Sequence, residues 1–335
     1  MGRTGSIKVH SNIIKIAGLA AATIITAFAA LCIGSVPVSI PEMLSVLFGG
    51  GGSETVSQII FEIRLPRILL AIAVGGGLSV VGGVFQAILM NPLAEPYILG
   101  ISSGGAFGAV LSFLIGTAFI GTQIFAFAGA LLVVFLVFML GKRFGEIEPN
   151  HLLLSGVMIG SFFAAAILLM MNLLNDSLRP VVFWLMGNLS STGKNYVLFV
   201  FPVSVIISFI LMMNAHKYNV MALGQDNARY LGVNVKFVNN LTYILSSFLV
   251  GSIVSVSGII GFVGLLIPHL CRLLFGVDNR IVIPASFFIG ASYIIIADTA
   301  ARTIIAPAEL PVGAFTALIG APVFVYLMRR KSNKL

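Results

Sequence analysis

Long apolar stretches alternate with short polar punctuation along this chain. Charge-free runs extend from Lys15 to Glu42, Arg67 to Glu95, Glu95 to Lys142, Glu148 to Asp176, Lys194 to Lys217 and Lys236 to Arg272. Shorter ones lie between Arg280 and Asp298 and between Glu309 and Arg329. A bilayer core of roughly 30 Å takes about 20 apolar residues of helix. Most runs therefore predict one spanning helix, and the Glu95–Lys142 run predicts two. The ten-residue alternation of a membrane barrel is missing, so helix is the expected spanning element.

Ten spans result. The first covers about Asn12 to Gly34, read as a retained helix rather than a signal peptide, and the second about Leu65 to Leu89. Spans three and four split near Gly116 to Gly121, span five covers about Leu152 to Leu174, and span six about Tyr196 to Met213. The Lys236–Arg272 run is too long for one helix. Its interior, Ser257 to Gly264, breaks regular helix and Pro268 restricts it again, which predicts a full span seven and a short, re-entrant-like span eight. Spans nine (about Ile281 to Ala297) and ten (about Leu310 to Met328) complete an all-α, polytopic single domain over residues 1–335.

Charge then orients the bundle. With both termini in the cytoplasm, Arg3, Lys8, Lys15, Lys142, Arg143, Lys217, Arg229, Lys236, Arg272, Arg280, Arg329, Arg330, Lys331 and Lys334 fall inside. Only Arg64, Arg67, Arg179, Lys194 and Arg302 fall outside, the bias that the positive-inside rule requires. Composition agrees: 59% of residues are hydrophobic and mean hydropathy is +1.09. The basic residues occupy short loops, so orientation explains the pI near 9.7 without nucleic acid. Cys32 and Cys271 have no metal or redox spacing and read as packing residues.

Basic residues on the outside need a reason. Arg64-Leu65-Pro66-Arg67 opens span two and Arg302 closes span nine. One reading is interfacial snorkelling or a local ion pair. The other is a rim that steers an acidic partner. Inside, residues 214–236 form the longest polar stretch. Ala222, Leu223, Ala228 and Leu231 make an apolar stripe there, beside Gln225, Asp226, Asn227 and Arg229. Such a helix either lies on the bilayer or enters a groove on a soluble partner.

An energy source is harder to find. Gly187 to Lys194 has the wrong glycine spacing for a P-loop, and Asn195 stands where Ser or Thr is needed. His10, His151, His216 and His269 are scattered, and neither HExxH nor GxSxG occurs. Ionisable residues that couple ions at mid-membrane are not evident either, with Asp298 and Glu309 near span ends. The remaining alternatives are a transporter that borrows energy from another subunit and an ion-coupled secondary transporter.

Several segments together resemble the FecCD family, the permease subunits of ATP-binding-cassette importers for iron-siderophore, haem and vitamin B12. They are RLPR (Arg64 to Arg67), the Gly75 to Ala109 stretch with NPLAEP, MGNLSS (Met186 to Ser191), ALGQDNARYLGV (Ala222 to Val233), GFVGLLIPHLCRLLFGVDNR (Gly261 to Arg280) and Ala297 to Arg330. The resemblance implies a type II importer permease of ten helices in a prokaryotic cytoplasmic (inner) membrane. It implies a second copy of the chain as homodimer partner, two ATPase subunits that carry ATP and Mg, and an extracytoplasmic binding protein. No cofactor, metal site or catalytic residue is expected in the chain itself. Arg64, Arg67 and Arg302 match positions for docking the binding protein. Ala222, Leu223, Gly224, Ala228, Arg229, Leu231 and Gly232 match the loop that couples to the ATPase. Phe85, Gln86 and Met90 mark the helix where pathway lining is expected, and Glu95 is expected to cap the helix that follows it. The expected cargo is a ferric siderophore, with vitamin B12 or haem as the alternative.

Overall fold

The computed structural model describes residues 2–49, 53–117, 119–143, 146–174, 178–190 and 194–332. In chain order the helices are α1 (Gly2–Cys32), α2 (Ile40–Leu47), α3 (Glu54–Gln58), α4 (Leu65–Ile88), α5 (Ile101–Leu114) and α6 (Phe119–Leu140). Then come α7 (Pro149–Met171), α8 (Leu178–Leu185), α9 (Lys194–Met213), α10 (Ala215–Met221), α11 (Gln225–Tyr230), α12 (Val235–Ser257), α13 (Val263–Phe275), α14 (Asn279–Thr303) and α15 (Val312–Ser332). A π-helical turn at Ile59–Arg64 joins α3 to α4, and a 3-10 turn at Pro96–Leu99 precedes α5. Lys142 pairs with Ile147 in a two-residue antiparallel ladder, the one extended element among the described residues.

Seven helices among the described residues are long and apolar enough to cross a membrane. Three shorter apolar helices, Ile101–Leu114, Val263–Phe275 and Val312–Leu327, lie where spans three, eight and ten were expected. The expected count of ten is reached only by including them. Lys334 and residues 191–193 lie outside the described residues.

Helix α4 is the centre of the bundle, packed by α14, α9, α13 and α12 and buried along nearly its whole length. Its glycines allow this. A Cβ at Gly82 would sit 1.8 Å from the Gly264 carbonyl oxygen of α13, and one at Gly75 would sit 2.1 Å from the Gly290 oxygen of α14. Backbones meet directly at both crossings, the contact that small residues permit in membrane bundles.

Helix α12 stops where expected, at Gly258, but Pro268 does not break α13. It lies in the second turn, and the amide it lacks would have claimed the Gly264 carbonyl. That carbonyl lies against Gly82 instead.

Elements unforeseen in the sequence cover one end of the bundle. Helix α2 starts on a capping box, in which Ser39 Oγ accepts from Glu42 N at 3.4 Å and Glu42 Oε2 accepts from Ser39 N at 3.0 Å. Helix α8 packs Val181 against a small apolar cluster with Ala106 and Ile167.

Candidate functional site

Two groups of residues lie at opposite ends of the bundle. At the end where α1 finishes and α4 begins, three arginines converge. Arg67 is 7% exposed and fully engaged. Its Nε donates to Asp298 Oδ2 at 2.8 Å, its Nη2 to Asp298 Oδ1 at 2.8 Å, and its Nη1 to Glu309 Oε2 at 2.9 Å. One planar guanidinium thus holds α4 to α14 and to the segment that leads into α15, through fork geometry that lysine does not offer.

Arg64 and Arg302 are also buried, 3% and 6% exposed. Arg64 donates to the Leu31 and Val36 carbonyls, and Arg302 donates to the Ala30 carbonyl at 2.8 Å. The Ala30 and Leu31 carbonyls belong to the last turn of α1, where helix polarity favours cations, and Val36 follows in the connection to α2. One of the two readings of the sequence places these arginines on a rim that faces a partner. The structure brings all three together but commits their side chains to partners within the chain, so the local-pairing alternative describes this conformation. Lys194 does meet a carboxylate at the surface, with Nζ 2.7 Å from Glu62 Oε1.

At the other end, α10 and α11 form the connection expected to couple. The chain reverses at Gly224 (φ +105°) and Gly232 (φ +83°), left-handed positions that favour glycine. Between them the expected stripe divides. Ala228 is fully buried against the chain, whereas Ala222, Leu223 and Leu231 are exposed and Tyr230 is 90% exposed. Arg229 is exposed and pairs loosely with Asp226 at 3.8 Å. Leu273, Leu274 and Val277, at the end of α13, add further exposed apolar surface.

A two-way tie fixes this connection to a long helix. Asn219 Nδ2 donates to Asp278 Oδ1 at 2.7 Å, and Asn219 Oδ1 accepts from Asn279 N at 2.8 Å. Asp278 also caps α14, accepting from Arg280 N at 3.0 Å. The Arg280 guanidinium, the capping amide and Asn219 hold the Asp278 carboxyl at about 2, below its ordinary 3.8. Sequence reasoning missed Asn219 and Asp278 as a pair. The Asp-Asn-Arg cap signal was readable; the partner 59 residues away was not.

Helix α4, which bears Phe85 and Gln86, ends here, with Met90 just beyond it. Phe85 is fully buried against Tyr243, with ring centroids 5.9 Å apart. Gln86 is buried as a staple: its Nε2 donates to the Ala94 carbonyl at 3.2 Å and its Oε1 accepts from Arg272. Both are buried in this conformation, and of the three Met90 alone is exposed. Glu95 takes the N-cap position of the 3-10 turn without a side-chain capping bond, which corrects the expected cap. Burial raises its carboxyl above the ordinary range.

A profile of the FecCD transport family matches residues 22–330. The chain belongs to the FecCD transport family. A cobalamin import permease, BtuC, of Halobacterium salinarum is 40% identical over 280 residues, covering 83% of this chain and 75% of its own. A molybdate import permease, MolB, of Haemophilus influenzae is 36% identical over 326 residues, covering 93% and 95%. A solved inward-facing conformation of a candidate metal-chelate type ABC transporter superposes with a TM-score of 0.85 at 34% identity, covering 94% of this chain and 98% of that one. The FecCD chain described here is thus an all-helical importer permease of the metal-chelate and vitamin type, a transport subunit rather than an enzyme.

Proposed function

We propose that this permease carries an intact metal chelate, a ferric siderophore, inward across a prokaryotic cytoplasmic membrane, with both termini in the cytoplasm. Two copies pair around the path, an external binding protein delivers the cargo, and two ATPase subunits supply the energy. The observation that carries this reading is the exposed apolar surface of Ala222, Leu223, Tyr230 and Leu231, anchored to α14 through Asn219 and Asp278. An amphipathic projection with a rigid base suits insertion into a groove on a soluble partner.

At the outer end, the arginine cluster braces α1, α4 and α14 beneath the docking surface. The binding protein then meets the exposed loop that carries Glu309, and the three arginines set the field under it. Relatives named for cobalamin and for molybdate show how widely cargo varies at this level of identity. Co-purification of the tagged chain from its native membrane tests the reading. A stoichiometric ATPase subunit is expected, and a chain that purifies without one and takes up substrate on an ion gradient overturns it. Uptake of iron-labelled siderophore against labelled molybdate tests the cargo.

A further inference from the structure

The apolar part of α1, Asn12–Cys32, is 21 residues long, enough to cross a hydrocarbon core of about 30 Å and no more. Its outer limit is therefore Cys32. Helix α1 also lies at the edge of the bundle, with Ile13, Ile14, Ile24, Ile25 and Phe28 exposed where lipid surrounds the span. Helix α2 follows after a short connection and does not rise away from this boundary. Met43 Sδ lies 3.4 Å from Cys32 Sγ, and the Val38 amide donates to the Cys32 carbonyl at 3.2 Å. Arg64 holds the Leu31 and Val36 carbonyls on either side of the turn. The middle of α2 is thus pinned at the level where the apolar span ends.

The apolar arc of α2 is wider than the chain covers. At about 100° per residue, Met43 and Leu47 stand side by side and turn inward, with Met43 4% exposed. Ile40, Leu44 and, just past the helix end, Phe48 continue the same arc but turn outward, at 62%, 41% and 81% exposed. Glu42 and Ser45 take the opposite side. Glu42 is the one charge on the helix, and the capping box with Ser39 already engages it. The ties to Cys32 keep α2 from rolling its open arc inward, so the arc is not a lost contact within the chain. Open apolar surface of this kind marks a site that something covers. The arc offers a soluble partner no polar group to orient on, whereas the bilayer already stands at this level around α1.

We infer that α2 is an interfacial anchor, lying in the outer leaflet with Ile40, Leu44 and Phe48 inserted where headgroups meet acyl chains and with Glu42 and Ser45 toward water. Lipid is the occupant, and its headgroup charge is immaterial, because α2 carries no cation to seek an anionic one. The consequence is positional. The anchor fixes the depth of the outer end of α1, and the carbonyls of that end hold Arg64 and Arg302. Helix α2 therefore sets the level of the arginine cluster relative to the membrane surface.

Trp184 is the single tryptophan, so Trp184→Phe gives a silent background for a placed probe. Phe48→Trp puts that probe on the open arc, and Glu54→Trp puts it on the exposed start of α3. Each full chain is reconstituted in phosphatidylcholine vesicles. Both positions are exposed, and Leu44→Trp replaces Phe48→Trp should that chain fail to fold. The Phe48 probe is expected about 5–10 Å into the headgroup and acyl boundary. Lipid brominated near the top of its chains should then quench it more than lipid brominated near their ends, and aqueous iodide should reach it poorly. The Glu54 probe shares the preference of tryptophan for interfaces and is expected to stay open to iodide, which separates the site from the probe. Exchanging part of the phosphatidylcholine for phosphatidylglycerol should leave the Phe48 profile unchanged. A Phe48 probe open to iodide overturns the anchor, as does one quenched no differently from the Glu54 probe. A probe shielded from both quenchers lies under protein and overturns it too, and so does a profile that appears only with the anionic lipid. No ATPase or binding protein takes part, so this outcome is independent of whether an ATPase subunit co-purifies.

Discussion

Asn219 donates to Asp278 and accepts from the amide of the next residue, so one side chain on α10 holds both the cap and the first turn of α14. A displacement of α10 and α11 by a partner would thereby be passed to a helix that runs the length of the bundle. Asn219→Ala is expected to remove both bonds, at about 1–3 kcal/mol for the unmet buried amide. ATP-driven uptake should fall several-fold while an ATPase subunit still co-purifies. Parallel uptake and pull-down measurements check this, and equal loss of both would place Asn219 in assembly instead.

The exposed side chains next to this tie are expected to bear on partner binding rather than on folding. Tyr230 is 90% exposed and Leu223 is 64% exposed, so Tyr230→Ala with Leu223→Asp should leave thermal stability within about 0.5 kcal/mol. Co-purification of the ATPase subunit should be lost. Retention at full stoichiometry would move the coupling surface elsewhere.

Arg67 sits between two carboxylates at the other end. Arg67→Ala leaves the 3% exposed Asp298 without its cation, a change expected to cost about 3–5 kcal/mol. The double variant Arg67→Met with Asp298→Leu should recover much of that loss, because no unpaired charge remains buried. Melting of the detergent-solubilised variants decides between this and a purely surface role, in which the single change would be silent.

Acid sensitivity has a local source. Asp278 titrates at about 2 when folded and near its ordinary 3.8 when released, so it adds stability above pH 4. The sign follows from linkage: a depressed carboxyl stabilises the fold above its unfolded value, and this is lost as pH falls from about 4 toward 2. Asp278→Asn should flatten that limb of the melting profile. An unchanged acid limb would show that other carboxylates set it.

Most of the fold was legible because membrane helices announce themselves by length and polarity. The charge-free runs placed α4, α7, α9 and α12 within a few residues of their observed ends, whereas α14 continues past the expected Ala297 to Thr303. The amphipathic α2, α8 and α10 were not read, because each is under ten residues and its packing partners are distant in sequence. At the site, the exposure of Leu223 and Leu231 followed from a two-turn stripe, while the inward turn of Ala228 depended on how α11 leans on the bundle. Arg64, Arg67 and Arg302 were found by their disfavoured side of the membrane. Their burial was not foreseeable, since it depends on carbonyls at the end of α1 and carboxylates more than 230 residues away.

The backbone crossings of α4 carry one more consequence. Ordinary helix contacts contain side chains that change rotamer and absorb small movements. Where Gly75 meets Gly290 and Gly82 meets Gly264, backbone lies directly on backbone and less of this cushion is present. A tilt imposed on α14 at its Asp278 end is therefore expected to reach α4 with little loss, and through α4 the Arg67 brace at the far end. Such contacts make α4 the element through which movement of α14 is expected to travel, from the coupling end toward the arginine brace.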